Sequence, residues 1–113
     1  MNLESSNATN IHPKEKYNTD IFSSIEKAQR ELAELRQHID IIDNQMSDLF
    51  LQRMILVEKV GKLKRVSDIP VEHSDREKEI LERLTADLSP EQAADMDALF
   101  RQIFKISCQH QNR

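Results

Sequence analysis

Apolar residues in the first long segment recur at alternating steps of three and four: Ile25, Ala28, Leu32, Leu35, Ile39, Ile42, Met46 and Leu49, then, after Arg53, Leu56, Val60 and Leu63. Residues so spaced share one face of a helix, so the pattern predicts a long first helix whose seam is buried against other helices. The predicted start is near Ser23 or Ser24, with Glu26 closing a capping box on Ser23. The predicted end is about Val66, before Ser67, Asp68 and Pro70. At ~1.5 Å per residue the seam from Ile25 to Leu63 is roughly 57 Å long, whereas a folded chain of this length is only about 35 Å across. One end of the seam must overhang, and the natural cover is the same helix from a second copy. The expected assembly is therefore a homodimer through this helix.

Two shorter helices follow. One starts after Ser74 and aligns Ile80, Leu81, Leu84 and Leu88; the other opens at Ser89, with Pro90 in its first turn and Gln92 as capping-box partner. The last helix carries Ala93, Met96, Phe100 and Ile103, and its stripe then turns polar at Ser107 and Gln111. In the C-terminal half of the first helix, Phe50, Met54, Val57 and Gly61 widen the apolar face, which marks where the shorter helices pack. Gly61 would permit a close backbone approach there. Residues 1 to about 20 are rich in Asn, Ser, Thr and charge without periodicity, and predict a disordered N-terminal tail ahead of one domain at 21–113.

Composition agrees with an all-α, three-helix class: one Gly, three Pro and no Trp among 113 residues, with no repeated strand and turn pattern. The net charge of −4, spread over interleaved Glu, Lys and Arg, gives no basic face for nucleic acid. The single cysteine, Cys108, has no partner for an internal disulfide, and no apolar run at the N-terminus suggests a leader or a membrane span, so a cytoplasmic setting is expected.

The candidate chemistry begins with Arg53. A guanidinium desolvated in an apolar seam must meet a carboxylate from the protein or an anionic ligand. Lys64 follows three turns plus about 20° later, on the same face and roughly 16 Å along, so the two side chains can converge on one small anion. Arg36 lies about 25 Å the other way and cannot reach that ligand within one chain, but an antiparallel partner helix would bring it there.

These residues carry a family resemblance. The stretch LRQHIDIIDNQMSDLFLQRMILVEKVGKLK, then IPVEHSDREKEILERL and the C-terminal LFRQIFKISCQHQ, closely resembles the all-helical chorismate mutases, including mutase domains fused to prephenate dehydratase or dehydrogenase. It covers about residues 30–112 and rests on a combination of motifs: Leu35-Arg36, Arg53, the VGKxK run ending at Lys64, and Asp75-Arg76-Glu77. The resemblance implies a cofactor-free rearrangement of chorismate to prephenate, an intramolecular Claisen step feeding phenylalanine and tyrosine synthesis, in an intertwined antiparallel helical homodimer. By it, Arg53, Lys64, Glu77, Ser107 and Gln111 line the site from one subunit and Arg36 is lent by the other. Arg36 and Arg53 clamp the carboxylates, Lys64 and Gln111 face the breaking ether oxygen, Glu77 takes the substrate hydroxyl and Ser107 a carboxylate. His73 stands where several relatives have Asp; the family's contact there is through the backbone amide. Arg76 supports the site by its charge. No metal is implied, and no dehydratase or dehydrogenase module is expected.

Plainer readings stand beside these. Arg53 taken alone serves equally as a register device in a coiled-coil interaction module, Glu77 as a capping-box partner of Ser74, Lys64 as a solvated helix residue, and Ser107 and Gln111 as a fraying helix end. The enzymatic alternatives are a 4-amino-4-deoxychorismate mutase or an isochorismate pyruvate lyase on the same scaffold.

Overall fold

The computed structural model describes residues 13–69 and 73–112, and side chains from residue 20 onward within those ranges. Three helices follow in order: α1 Pro13–Ser67, α2 Ser74–Thr85 and α3 Pro90–Gln111, with no strand among the described residues. No described helix is long and apolar enough to cross a membrane.

The first helix begins ten residues earlier than the expected cap at Ser23, and residues 13–20, assigned from composition to a tail, are its first turns. The physical reason is local. Proline at the first helical position sacrifices no hydrogen bond, Lys14, Glu15 and Lys16 favour helix, and extending an existing helix is far easier than nucleating one. Residues 1–12 lie outside the described range. The other end of α1 is closed by a Schellman turn: Asp68 adopts a left-handed φ of 54°, and the Ile69 N–H donates to the Lys64 carbonyl at 3.0 Å. Pro70, expected to help stop the helix, is likewise outside the described residues.

The chain divides into two units, Met1–Met46 and Ser47–Arg113. In the first, every described side chain is exposed, including seam residues Ile25, Leu32, Leu35, Ile39, Ile42 and Met46. A lone amphipathic helix of this kind has nothing of its own to bury its apolar face against.

In the second unit, the last third of α1 packs with α2 and α3. The face used is the flanking stripe: Met54 and Gly61 are buried and Phe50 and Val57 half-buried. Ile80 of α2 and Phe104 of α3 complete a small core, and Phe100 meets Phe104 edge to face, with ring centroids 5.9 Å apart. The seam proper is left open, with Leu49, Leu56 and Leu63 respectively 64%, 59% and 61% exposed. Helix α3 starts as its sequence dictates: the Ser89 hydroxyl accepts from the Gln92 N–H at 3.2 Å and the Gln92 side chain accepts from the Ser89 N–H at 3.3 Å, a complete capping box with Pro90 at the first position. Helix α2 is capped differently from expectation. Its N-cap is His73, which makes no side-chain cap bond, so Glu77 falls one position beyond a capping-box partner. Leu88, expected on α2, lies in the turn before α3.

Candidate active site

The three helical segments of the second unit enclose a cavity of about 480 Å³. Arg53 and Lys64 reach it from α1. His73, Arg76, Glu77 and Ile80 come from the start of α2, and Phe104, Ser107, Cys108 and Gln111 from the last turns of α3. Leu56, Val57 and Val60 supply apolar wall. Every residue singled out from the sequence lines this cavity except Arg36, which belongs to the first unit. The volume suits a small molecule, and three cationic side chains against one carboxylate suit an anion.

Arg53 is held in place from α3. Its Nη1 donates to the Ser107 hydroxyl at 2.6 Å, and its guanidinium carbon lies 5.9 Å from the Phe104 ring centroid. The buried Ser107 hydroxyl donates in turn to the Ile103 carbonyl at 2.7 Å, so its single proton is committed within α3 and its oxygen aims Arg53. Donation to a ligand requires that hydroxyl to turn away from Ile103. Among the described residues Arg53 has no carboxylate partner. Burial first, and the charge of Arg76 second, lower its pKa from the ordinary value. A guanidinium remains charged at neutral pH even so, and an entering anion would relieve both penalties.

The polar end of α3 is fastened to α1 at several points. The Arg65 guanidinium donates to the Gln111 carbonyl, and His110 Nδ1 lies 2.8 Å from Glu58 Oε2. Gly61 permits the approach expected of it: a Cβ built there would collide with the Gln111 carbonyl oxygen and lie 2.8 Å from its Cα. Gly61→Ala must therefore push the end of α3, and Gln111 with it, away from the cavity. The expected cost is about 1–3 kcal/mol, a melting temperature lower by about 4 °C or more, and a turnover number reduced more than the Michaelis constant is raised. Calorimetry and steady-state kinetics check both halves.

Gln111 Oε1 is buried without a hydrogen-bond partner among the described residues, a costly condition that a ligand can relieve. Rotating the amide exchanges its oxygen and nitrogen, so the same position can offer an acceptor or a donor. Arg76, by contrast, is exposed and ion-paired with Glu79. The first turn of α2 brings His73 and Glu77 together, the Glu77 N–H donating to the His73 carbonyl at 2.9 Å. The side-chain donor atoms of His73, Glu77 and Cys108 all lie within 4.8 Å of one another.

Sequence reasoning missed Phe104 and Cys108. Phe104 sits one turn beyond Phe100 and one turn before Ser107, so the stripe could have included it; nothing in the spacing linked Cys108 to residues some thirty positions earlier.

The family model for chorismate mutase type II matches residues 35–112. The chain belongs to the type II chorismate mutase family. Among curated proteins it is similar to a chorismate mutase of Methanocaldococcus jannaschii, 35% identical over 79 residues that make up 70% of this chain and 78% of that protein. It is also similar to a bifunctional chorismate mutase/prephenate dehydratase of Aquifex aeolicus, 37% identical over 54 residues, 48% of this chain and 15% of that protein. The T-protein of Haemophilus influenzae is 31% identical over 84 residues, 73% of this chain and 22% of that protein. The chain thus spans a small part of the two longer relatives and most of the third. No solved structure matches. The stretch matched to the chorismate mutase family contains the whole cavity lining and Arg36.

Proposed function

We propose that this chain is a chorismate mutase that works as a homodimer, converting chorismate to prephenate by an intramolecular Claisen rearrangement. The observation that carries the reading is Arg53: a part-buried cation without a carboxylate partner among the described residues, aimed by Ser107 into a cavity that also holds Lys64 and Gln111. A register device would be expected to face a carboxylate; a substrate clamp keeps its charge for the ligand.

The proposed chemistry needs no nucleophile. A flexible enolpyruvyl side chain must be folded over its ring, which Arg53 achieves by binding a carboxylate while the apolar wall of Val57, Val60 and Ile80 shapes the ring's seat. As the ether bond breaks, negative charge grows on its oxygen, and Lys64 with the Gln111 amide stabilises it from fixed positions. Glu77 accepts from the substrate hydroxyl, Ser107 turns its hydroxyl to a carboxylate, and the α2 N-terminus at His73 offers backbone N–H groups, with Arg76 adding charge. Family membership supports each of these assignments at the matching position.

The second copy completes the site. The exposed seam in both units supports an antiparallel partner helix covering it, and that partner lends its Arg36 to the second carboxylate. The direct test is incubation of the purified protein with chorismate: prephenate should accumulate, and an unchanged substrate would reject the reading. The shared site has its own test. Arg36→Ala and Arg53→Ala proteins, each inactive alone, should regain about a quarter of wild-type activity when unfolded and refolded together, because half the dimers are mixed and each mixed dimer has one intact site. Absence of rescue, or a monomeric mass by light scattering with full activity, would remove Arg36 from the partner's site.

A further inference from the structure

We propose that His73, Glu77 and Cys108 form a three-ligand site for a zinc-class divalent metal, and that metal held there shuts the cavity to its organic ligand. The nitrogen, oxygen and sulfur donors converge from two helices to within 4.8 Å of one another, and all three residues are half-buried. Tetrahedral zinc needs donor separations of roughly 3.3–3.8 Å, so each pair must close by only about 1 Å, within the reach of side-chain rotation. His73 and Glu77 are one helical turn apart and face the same way, as paired ligands on a helix must.

The donor set also selects the metal. Imidazole, thiolate and carboxylate together suit zinc, cobalt or cadmium and not magnesium or calcium, which prefer oxygen. Arg53, Lys64 and Arg76 on the same cavity oppose any cation, so an all-oxygen, weakly held ion has little prospect here. A thiolate and a carboxylate together cancel the ion's double charge at the point of contact. On binding, the metal–sulfur bond forms as the Cys108 S–H bond breaks, and the proton passes to solvent. Three protein ligands leave a fourth position for water.

Coordination takes the Glu77 carboxylate out of the cavity's hydrogen-bonding set and places an ion within the volume a ligand would have to share. The inhibitory half of the proposal therefore rests on the mutase reading; the binding half does not.

The experiment uses cobalt as the spectroscopic probe and zinc as competitor, on the 113-residue protein freed of metal by chelation. Wild-type protein titrated with cobalt should show the near-ultraviolet thiolate-to-metal charge-transfer band, bleached by zinc and unaffected by magnesium. Cys108→Val, a near-isosteric change on the cavity wall, should lose the band and bind zinc about tenfold or more weakly by calorimetry, with an unchanged melting profile. In kinetics, saturating zinc should lower wild-type kcat/KM by about tenfold or more, competitively with chorismate, while Cys108→Val shows the same kcat/KM with zinc as without it. No charge-transfer band in the wild type, or a band surviving in Cys108→Val, overturns the site. A Cys108-dependent band with mutase rates untouched by zinc overturns the blockade. If metal-free protein fails to convert chorismate, the mutase reading falls, while the cobalt spectrum still decides the metal site.

Discussion

Arg53→Leu should lower kcat/KM by about a thousandfold or more while leaving the melting temperature unchanged or raised. The stability half follows from the neighbours. Removing the guanidinium strands no carboxylate, since none pairs with it among the described residues, and the Ser107 hydroxyl keeps its bond to the Ile103 carbonyl. Leucine would instead bury hydrocarbon beside Phe104 and end the desolvation penalty and the repulsion from Arg76 that lower the arginine's pKa. The catalytic half follows from position: the cavity keeps Lys64 and Arg76, but Arg76 is exposed and shared with Glu79 and cannot replace a part-buried cation held by Ser107. The measurement is paired, thermal unfolding beside steady-state kinetics on the same preparation. A lowered melting temperature with near-normal activity would make Arg53 a structural residue and remove the clamp from the mechanism.

Why Arg53 was legible in the sequence, and Cys108 was not, has a physical basis. Helical periodicity reports which residues share a face of one helix, so the polar interruption at Arg53, the polar end of the α3 stripe at Ser107 and Gln111, and the widened face around Met54 and Gly61 could all be read from spacing. Lys64 could be set on the face of Arg53 by spacing although alone it read as solvated, whereas Glu77 had an ordinary capping reading and only the family resemblance singled it out. What spacing cannot report is the rotation of one helix against another. That rotation brings Cys108 beside His73 and Glu77, and turns Phe104 rather than Ile103 into the core. Helix ends misled for a different reason. The polar segment at 13–20 lacks a seam, yet a continuing helix requires only that each residue tolerate helical dihedrals, so absence of periodicity did not mean absence of helix. At α2, His73 takes the cap position although its side chain contributes no bond, displacing the Ser74 and Glu77 pairing that spacing favoured.

The same contrast explains why the site and the seam have different fates within one chain. Arg53 and Lys64 are anchored to the face of α1 that α2 and α3 cover, so the cavity is built within Ser47–Arg113. The seam residues Leu49 and Leu63 do not line the cavity and Leu56 only edges it, and apolar surface left exposed to that extent is the kind that association buries. Arg36 sits in the unit whose described side chains are all exposed, which is why its proposed place in a site depends on a second copy.

A Gln111→Glu variant should be active only in acid, and its activity should fall with each step toward pH 8, where a loss of about a hundredfold or more against wild type is expected. The amide of Gln111 is neutral and donates a hydrogen bond at every ordinary pH, so this residue gives the wild-type protein no titration of its own. A carboxyl at the same place donates only when protonated. An ordinary glutamate loses its proton near pH 4.3, burial at this position raises that value and the cations Arg53 and Lys64 lower it, so the sign is fixed although the midpoint is a balance. Above the midpoint the ionised carboxylate repels the charge growing on the ether oxygen, and the rate declines as pH rises; below it the protonated acid imitates the amide, and the rate recovers. Taking the ratio of variant to wild-type kcat/KM at each pH cancels every other group that titrates in the protein. The close approach of Gly61 to the Gln111 backbone keeps the side chain at the cavity in both proteins, which isolates the exchange of a permanent donor for a conditional one. A ratio near one at pH 8 would mean that residue 111 does not face the breaking bond, and the buried, unpartnered Oε1 of Gln111 would then have to be explained by some other ligand group.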